Sequence, residues 1–121
     1  MMRAIRFATQ LDFSITEETF ASIQRMASRI KIVSQERITD ELQKIMMTQT
    51  PSKGWYLLKE AGFHDIKLGT ESLNPATLQY INKPYKDPQL AIKAIENFNE
   101  VGMKPNLLII FGLPTDTEED Y

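Results

Sequence analysis

The stretch that decides the predicted fold is residues 59–69, Lys59-Glu60-Ala61-Gly62-Phe63-His64-Asp65-Ile66-Lys67-Leu68-Gly69. Apolar residues at helical spacing lead into it from Trp55, and Gly62 supplies the left-handed backbone that ends many helices. Alternating apolar residues then predict a short strand over Ile66–Gly69. A similar succession of helix, glycine and strand follows at Gly102, before the apolar run Leu107–Phe111. Helices that alternate with strands in this way are typical of α/β folds.

The remaining periodicities extend this alternation in both directions. Strands are predicted at Ala4–Thr9, Ile30–Ser34, Ile66–Gly69 and Leu107–Phe111, and helices at Ile15–Ser28, Asp40–Met47, Trp55–Ala61, Asn74–Ile81 and Asp87–Gly102. The last strand is nearly all apolar, which is the pattern of a strand buried on both faces of a parallel sheet. The sequence therefore predicts an α/β fold with a partial (β/α) barrel strip of about four parallel strands, or part of a doubly wound sheet.

The C-terminal residues influence the predicted domain organisation. Thr115-Asp116-Thr117-Glu118 has the spacing of a capping box, so a further helix is predicted to begin there. The sequence stops shortly after this cap. We therefore expect residues 1–121 to be one fragment of a larger domain.

Composition limits the classes of function. The 121 residues are 42% hydrophobic and 25% charged, which are ordinary values for globular domains. The net charge is −2, from 14 basic and 16 acidic residues, so binding of nucleic acid through bulk charge is not expected. No apolar run has the length of a membrane helix or the character of a signal peptide, which predicts a cytoplasmic protein without membrane association. The sequence contains no cysteine, which excludes disulfides and thiolate metal sites within these residues.

Five short motifs are specific as a set because of their order and spacing. They are Leu57–Ser72 with its apolar-Gly-x-Glu-Ser end, Leu78-x-x-Ile81-Asn82-Lys83, Glu100–Pro105, Ile110–Asp120 with its Gly-Leu-Pro turn, and Ile5-x-Phe7 with Asp12-Phe13 beyond it. Together they resemble the radical S-adenosylmethionine (SAM) enzymes, in particular the Fe–S oxidoreductases, many of which carry a cobalamin-binding domain. The resemblance implies that the chain covers approximately strands 2 to 5 of a radical SAM-type, TIM-like half barrel.

The resemblance also implies cofactors that this chain does not hold tightly by itself. Radical SAM enzymes bind a [4Fe–4S] cluster through three cysteines in a C-x-x-x-C-x-x-C loop, and this sequence has none. We therefore expect SAM and the cluster to belong to an intact parent enzyme, with no catalytic residue and no metal ligand in this chain. In that interpretation the chain contributes part of a SAM-binding wall and is not catalytically competent alone.

The resemblance implies six SAM-binding residues near the carboxyl ends of the predicted strands. They are Glu71, Ser72, Lys83, Asp12, Gly112 and Leu113. Carboxylates suit the hydroxyl and ammonium groups of SAM, the lysine suits its carboxylate, and the Gly-Leu pair suits packing against adenine. Each also has a structural alternative, namely helix-end charge for Glu71 and Lys83, and turn geometry for Asp12 and Gly112.

Other interpretations remain open from the sequence. A non-catalytic assembly module would cover the open edges of a four-stranded sheet by forming a homodimer. An unrelated barrel enzyme has less support, because no glycine-rich phosphate loop is present. Ser34, Gln35 and Arg37 follow a predicted strand and either line a substrate pocket or form a solvated loop. His64 is the only histidine and falls on a turn away from the expected chemistry.

Overall fold

The computed structural model describes residues 1–120 and is mostly helical. Its helices are α1 Met2–Gln10, α2 Glu17–Met26, α3 Gln35–Met46, α4 Pro51–Glu60, α5 Pro75–Tyr80 and α6 Gln89–Glu100, with 3₁₀ helices at Ala27–Ile32 and Glu118–Asp120, and its strands are β1 Lys67–Glu71 and β2 Asn106–Ile109. The two strands pair in parallel, and residues 1–120 contain no other strand. The predicted half-barrel strip of four parallel strands is therefore wrong, although the two strands that do form run in the expected direction.

The segment predicted as the first strand, Ala4–Thr9, lies inside α1. Met2, Ile5 and Ala8 are buried and follow one another at intervals of three, which places them on one face of a helix. The alternation of Ile5 and Phe7 predicted a strand with both side chains on one buried face. In the helix Phe7 lies off the buried face and is 41% exposed. Helical spacing prevails because α1 packs this face against α3 and α4.

The second predicted strand, Ile30–Ser34, is also absent. Its first residues end the Ala27–Ile32 helix, and the rest link that helix to α3. The Ser34 side chain accepts a 3.4 Å hydrogen bond from the Arg37 N–H and so caps α3. Ile32 is 77% exposed, so the β-branched residues of this segment have no sheet on which to pack.

The core forms where α1, α3 and α4 meet, and it continues to α6. Trp55 of α4 stacks on Phe98 of α6 with 4.3 Å between the ring centroids. Gly54 allows close packing of the helices, since a Cβ there would lie 2.5 Å from Ile45 Cγ2 and 2.8 Å from Thr9 Oγ1. The N-terminal helices and the β1–α5–α6–β2 unit therefore share one hydrophobic core.

Several predicted helix ends are confirmed. Gly62 follows α4 with φ +93°, as expected of a glycine after a helix. The Asn74 side chain accepts a 2.8 Å hydrogen bond from the Ala76 N–H and begins α5, which has Pro75 in its first turn. The helix predicted from Thr115 is shortened to a single 3₁₀ turn at Glu118–Asp120 within the described residues.

β2 lies where the sequence places it but is exposed where the sequence predicts burial. Leu107, Leu108 and Ile109 are between 38% and 47% exposed. A sheet of two strands makes β2 an edge strand, so its apolar residues are not covered on both faces. A homodimer formed through such edges stays a prediction. None of the helices in residues 1–120 is long and apolar enough to cross a membrane.

Candidate functional site

Lys83 and Glu71, two of the predicted ligand residues, come together at the end of β1. Lys83 Nζ donates a 2.7 Å hydrogen bond to the Gly69 carbonyl and lies 3.5 Å from Glu71 Oε1. Their side chains are 10% and 22% exposed. Burial lowers the pKa of the Lys83 ammonium, and the Glu71 carboxylate partly opposes that effect. Lys83 thus stabilises the end of β1, the strand that carries Glu71.

The backbone around Glu71 turns neighbouring side chains to opposite sides of β1. Glu71 adopts φ +65°, an uncommon value for a residue other than glycine, and the pairing register shifts between Gly69 and Glu71. Glu71 and Lys83 border a cleft against the first turns of α3, which we call the α3 cleft. Thr70 and Ser72 border a second cleft at the end of β2, which we call the strand-end cleft.

The remaining predicted ligand residues do not join the Lys83–Glu71 pair. Asp12 lies just after α1, and its exposed carboxylate accepts a 2.7 Å hydrogen bond from Lys53, which lowers the pKa of Asp12. Gly112, with φ +81°, and Leu113 form the turn after β2, where the Leu113 N–H donates to Asp116 Oδ2. The six residues therefore do not surround one pocket, and their roles as ligands stay predictions.

Ser34, Gln35 and Arg37, for which the sequence left two interpretations, do border the α3 cleft. His64 lies in the loop between α4 and β1 and is exposed. It borders a different cleft, beside the Ala27–Ile32 helix.

A basic segment between residues 25 and 37 was missed by the argument from net charge. Its charged residues are Arg25, Arg29, Lys31 and Arg37 against the single acid Glu36. All four basic residues are exposed. Within the described part of the chain, no ion pair engages the side chains of Arg29, Lys31 or Arg37. This short stretch therefore presents cationic groups to solvent although the whole chain is slightly acidic.

The Ala27–Ile32 helix, which carries Arg29 and Lys31, lies between two surface clefts. Ile30 borders both of them. Lys31 and Lys67 border the first cleft, and Arg3 and Arg37 border the second. We call the five residues Arg3, Arg29, Lys31, Arg37 and Lys67 the basic surface. Cations on both sides of a short helix are suited to contact phosphate oxygens along a nucleic-acid backbone.

An ion pair between α1 and α3 supports one side of the basic surface. Arg6 Nε donates a 2.5 Å hydrogen bond to Glu41 Oε2, and Arg3 Nε lies 3.5 Å from Glu41 Oε1. The side chains of Arg6 and Glu41 are each 12% exposed, whereas that of Arg3 is 72% exposed. Glu41 therefore joins the two helices and positions Arg3 at the surface.

Comparison with known proteins finds a similarity over the same region. Residues 12–68 match the family model described as the probable RNA- and SrmB-binding site of polymerase A. The match begins just after α1, includes α2, α3 and α4, and ends within β1. It contains four of the five residues of the basic surface.

The chain is similar to part of several curated tRNA nucleotidyltransferases. The chain is 33% identical over 90 residues to the CC-adding tRNA nucleotidyltransferase of Halalkalibacterium halodurans, which is 74% of this chain and 24% of that protein. It is 43% identical over 54 residues to the CCA-adding enzyme of Levilactobacillus brevis, 45% of this chain and 14% of that protein. It is 36% identical over 76 residues to the CCA-adding enzyme of Limosilactobacillus reuteri, 63% of this chain and 19% of that protein. The chain thus spans a quarter or less of these relatives, and no solved structure matches it significantly.

These comparisons contradict the radical SAM interpretation. The family model and the relatives concern RNA binding and nucleotidyl transfer, so the iron–sulfur oxidoreductase function and the SAM and [4Fe–4S] cofactors are wrong. The radical SAM motifs were drawn mainly from Leu57 onward, whereas the family model covers residues 12–68. In residues 1–120, no group of three or more His, Cys, Asp or Glu is placed to hold a metal ion.

The comparisons also contradict the expectation that nucleic acid is not a partner, and the distribution of charge gives a physical reason for the error. Net charge averages the whole chain, and the acidic residues Asp116, Glu118, Glu119 and Asp120 offset the basic segment in that average. Screening limits each charge to its neighbourhood, because the Debye length is about 8 Å at physiological salt. Phosphate binding therefore depends on the local balance of charge, which is positive between residues 25 and 37.

Proposed function

We propose that this chain belongs to the tRNA nucleotidyltransferases and that its α2–α4 region binds RNA in the cytoplasm. One observation carries the proposal: the residues that match the RNA-binding family model also hold exposed basic side chains without ion-pair partners in the described chain. The names of the relatives make tRNA the proposed substrate. The task of this chain within the whole enzyme is to hold the tRNA, and its own residues supply contacts to the phosphate backbone.

The chemistry of these contacts follows from the residue types. Arginine presents a planar fork of donors that matches two phosphate oxygens, and lysine acts as a compact point charge. Arg29 and Lys31 are two positions apart on a short 3₁₀ helix, so they point to different sides of it and reach different phosphates. Each phosphate that they neutralise releases a counterion, which makes binding strongly dependent on salt.

The test compares two variants that remove the same charge from different places. In one, Arg29 and Lys31 of the basic surface are replaced by glutamine. In the other, Lys93 of α6 and Lys104, both exposed and outside residues 12–68, are replaced by glutamine. Binding of the complete chain to fluorescein-labelled tRNA is measured by fluorescence anisotropy at salt concentrations from about 50 to 300 mM. The fall in affinity over this range reports the number of phosphates that the chain neutralises.

We expect the Arg29/Lys31 variant to bind tRNA about tenfold or more weakly at 0.1 M salt and to reduce the slope of log K against log salt by about 2. The Lys93/Lys104 variant is expected to stay within about twofold of the original chain. Equal losses in both variants, or no binding of tRNA by the unmodified chain, would contradict the proposal. Circular dichroism of each variant verifies that the helices are retained.

A further inference from the structure

The strand-end cleft, with a volume of about 350 Å³, is distinct from the basic surface. It opens where the parallel strands β1 and β2 end, the position at which open α/β sheets commonly bind ligands. All of its lining residues lie beyond residue 68, outside the segment that matches the RNA-binding family.

A buried hydroxyl on β1 lacks a partner beside this cleft. Thr70 is 2% exposed, and its Oγ1 makes no hydrogen bond within residues 1–120. Side chains alternate along a strand, and Glu71 borders the α3 cleft, so the Thr70 side chain lies on the side of the strand-end cleft. Buried polar groups are nearly always paired, so an unpaired hydroxyl next to a cleft is a hydrogen-bonding group that a ligand could complete.

The charge of the cleft is strongly one-sided. Asp116, Glu119 and Asp120 contribute carboxylates, and no basic residue lines it. Asp116 and Asp120 also fix the turn, since they accept hydrogen bonds from the N–H groups of Leu113 and Thr117, while Glu119 is exposed. These acids do not form a group that could hold a metal ion within the described chain. The cleft therefore suits a ligand whose positive charges are spread along its length.

The opposite wall of the cleft is apolar. Ile109, Ile110 and Phe111 line it and are between 45% and 63% exposed. Branched aliphatic side chains offer contact to methylene groups, and the face of an aromatic ring attracts an ammonium group. The ligand that fits this wall and the acidic turn together has alkyl segments between amines.

We propose that the strand-end cleft binds an aliphatic polyamine. Its ammonium groups pair with Glu119 and the neighbouring carboxylates, and its methylene segments lie on the apolar wall of Ile109–Phe111. The Thr70 hydroxyl accepts a hydrogen bond from one of the amines. This site shares no residue with the proposed RNA-binding region, so either proposal can fail without the other.

Isothermal titration calorimetry with spermidine, on the complete chain without RNA at 0.1 M salt, tests the proposal. We expect saturable binding at one site. Glu119→Gln is expected to weaken spermidine about threefold to fivefold through loss of one partly exposed ion pair. Thr70→Val is expected to weaken it about fivefold through loss of one hydrogen bond. Glu118→Gln removes a charge from the same turn but outside the cleft, and it is expected to change affinity by less than about twofold.

Three outcomes would overturn the proposal. One is the absence of saturable spermidine binding. Another is an equal loss for Glu118→Gln and Glu119→Gln, which would indicate attraction to general negative charge. The third is displacement of spermidine by Mg²⁺ at matched ionic strength. Glu119 is at the surface, so its variant remains informative if Thr70→Val alters folding.

Discussion

Arg6 of α1 and Glu41 of α3 form an ion pair at 2.5 Å with both side chains only 12% exposed. The residue beside Glu41, Asp40, pairs with Lys44 at 2.7 Å, but these two side chains are 54% and 48% exposed. Two adjacent carboxylates on one helix thus differ mainly in burial. Breaking a buried pair leaves an unpaired charge in a poorly solvated place, whereas water compensates an exposed one.

We therefore predict that Glu41→Gln lowers the free energy of unfolding by about 2 to 4 kcal/mol, because the Arg6 charge loses its partner. Asp40→Asn is expected to lower it by less than about 0.5 kcal/mol. Urea denaturation followed by the fluorescence of Trp55, the only tryptophan and fully buried, measures both values. Equal effects of the two substitutions would show that the Arg6–Glu41 pair does not join the helices.

Gly54→Ala is expected to destabilise the protein by about 1 to 3 kcal/mol, although alanine is the better helix former. The added Cβ would overlap Ile45 Cγ2 and Thr9 Oγ1, so α1 and α3 would have to move away from α4. Ser52→Ala, at an exposed position in the same helix, is the control and is expected to stay within about 0.5 kcal/mol. A stabilised Gly54→Ala variant would mean that the helices are not in close contact there.

Two buried threonines are expected to respond in opposite directions to replacement by valine. Thr70→Val removes an unpaired hydroxyl and is expected to raise the free energy of unfolding by about 1 kcal/mol. The Thr77 hydroxyl lies 2.8 Å from Thr115 Oγ1 and donates to Asp116 Oδ1 at 3.0 Å. Thr77→Val removes these hydrogen bonds and is expected to lower the free energy of unfolding by about 1 to 2 kcal/mol. Thermal denaturation of both variants measures the difference. A loss of stability in Thr70→Val would indicate that its hydroxyl is paired in solution.

Tyr85 is expected to make the fold sensitive to alkaline pH. Burial, together with the negative charge of Glu71, raises the pKa of Tyr85 from 10.0 to about 12. The unfolded chain loses this proton near pH 10 while the folded chain keeps it to about pH 12, so the contribution of Tyr85 to stability is present below pH 10 and is lost between these values.

The Lys83 ammonium has the opposite effect on stability, because folding lowers its pKa from the value of 10.5 in the unfolded chain. The contribution of Lys83 therefore makes the fold more stable as the pH increases toward 10.5. Comparison with Tyr85→Phe separates the two groups, since both proteins contain Lys83. Urea denaturation at a series of pH values from 9 upward, covering about two units, is expected to show a smaller loss in Tyr85→Phe. Parallel curves for the two proteins would contradict the raised pKa of Tyr85.

The sequence predicts helix ends better than it distinguishes short helices from short strands. The amide of Asn74 and the left-handed Gly62 act on their own neighbours, so their effects can be inferred locally. The segment Ala4–Thr9 is ambiguous because Ile5 and Phe7 fit a strand while Ile5 and Ala8 fit a helix. What decides between them is the packing of α1 against α3 and α4, which a local pattern does not contain.

Neither the exposure of β2 nor the full extent of the basic surface could be predicted from the sequence, because both depend on how distant elements pack. An apolar strand is buried only if other strands or helices cover it, and that depends on the size of the whole sheet. The basic surface could have been found from a local count of charges around Arg29 and Lys31. Its extension to Arg3 could not, because Arg3 reaches it through the contact between α1 and α3.

The parallel pairing of β1 with β2 has a consequence for local stability. Lys67 faces Asn106, so the ladder joins residues 39 positions apart, whereas most turns of the helices are closed by near neighbours along the chain. Joining such distant residues costs loop entropy, and β2 has only one neighbouring strand and half-exposed apolar side chains to offset that cost. Backbone amides of β2 should consequently exchange with deuterium through partial openings, while those of α3 exchange only when the entire chain unfolds.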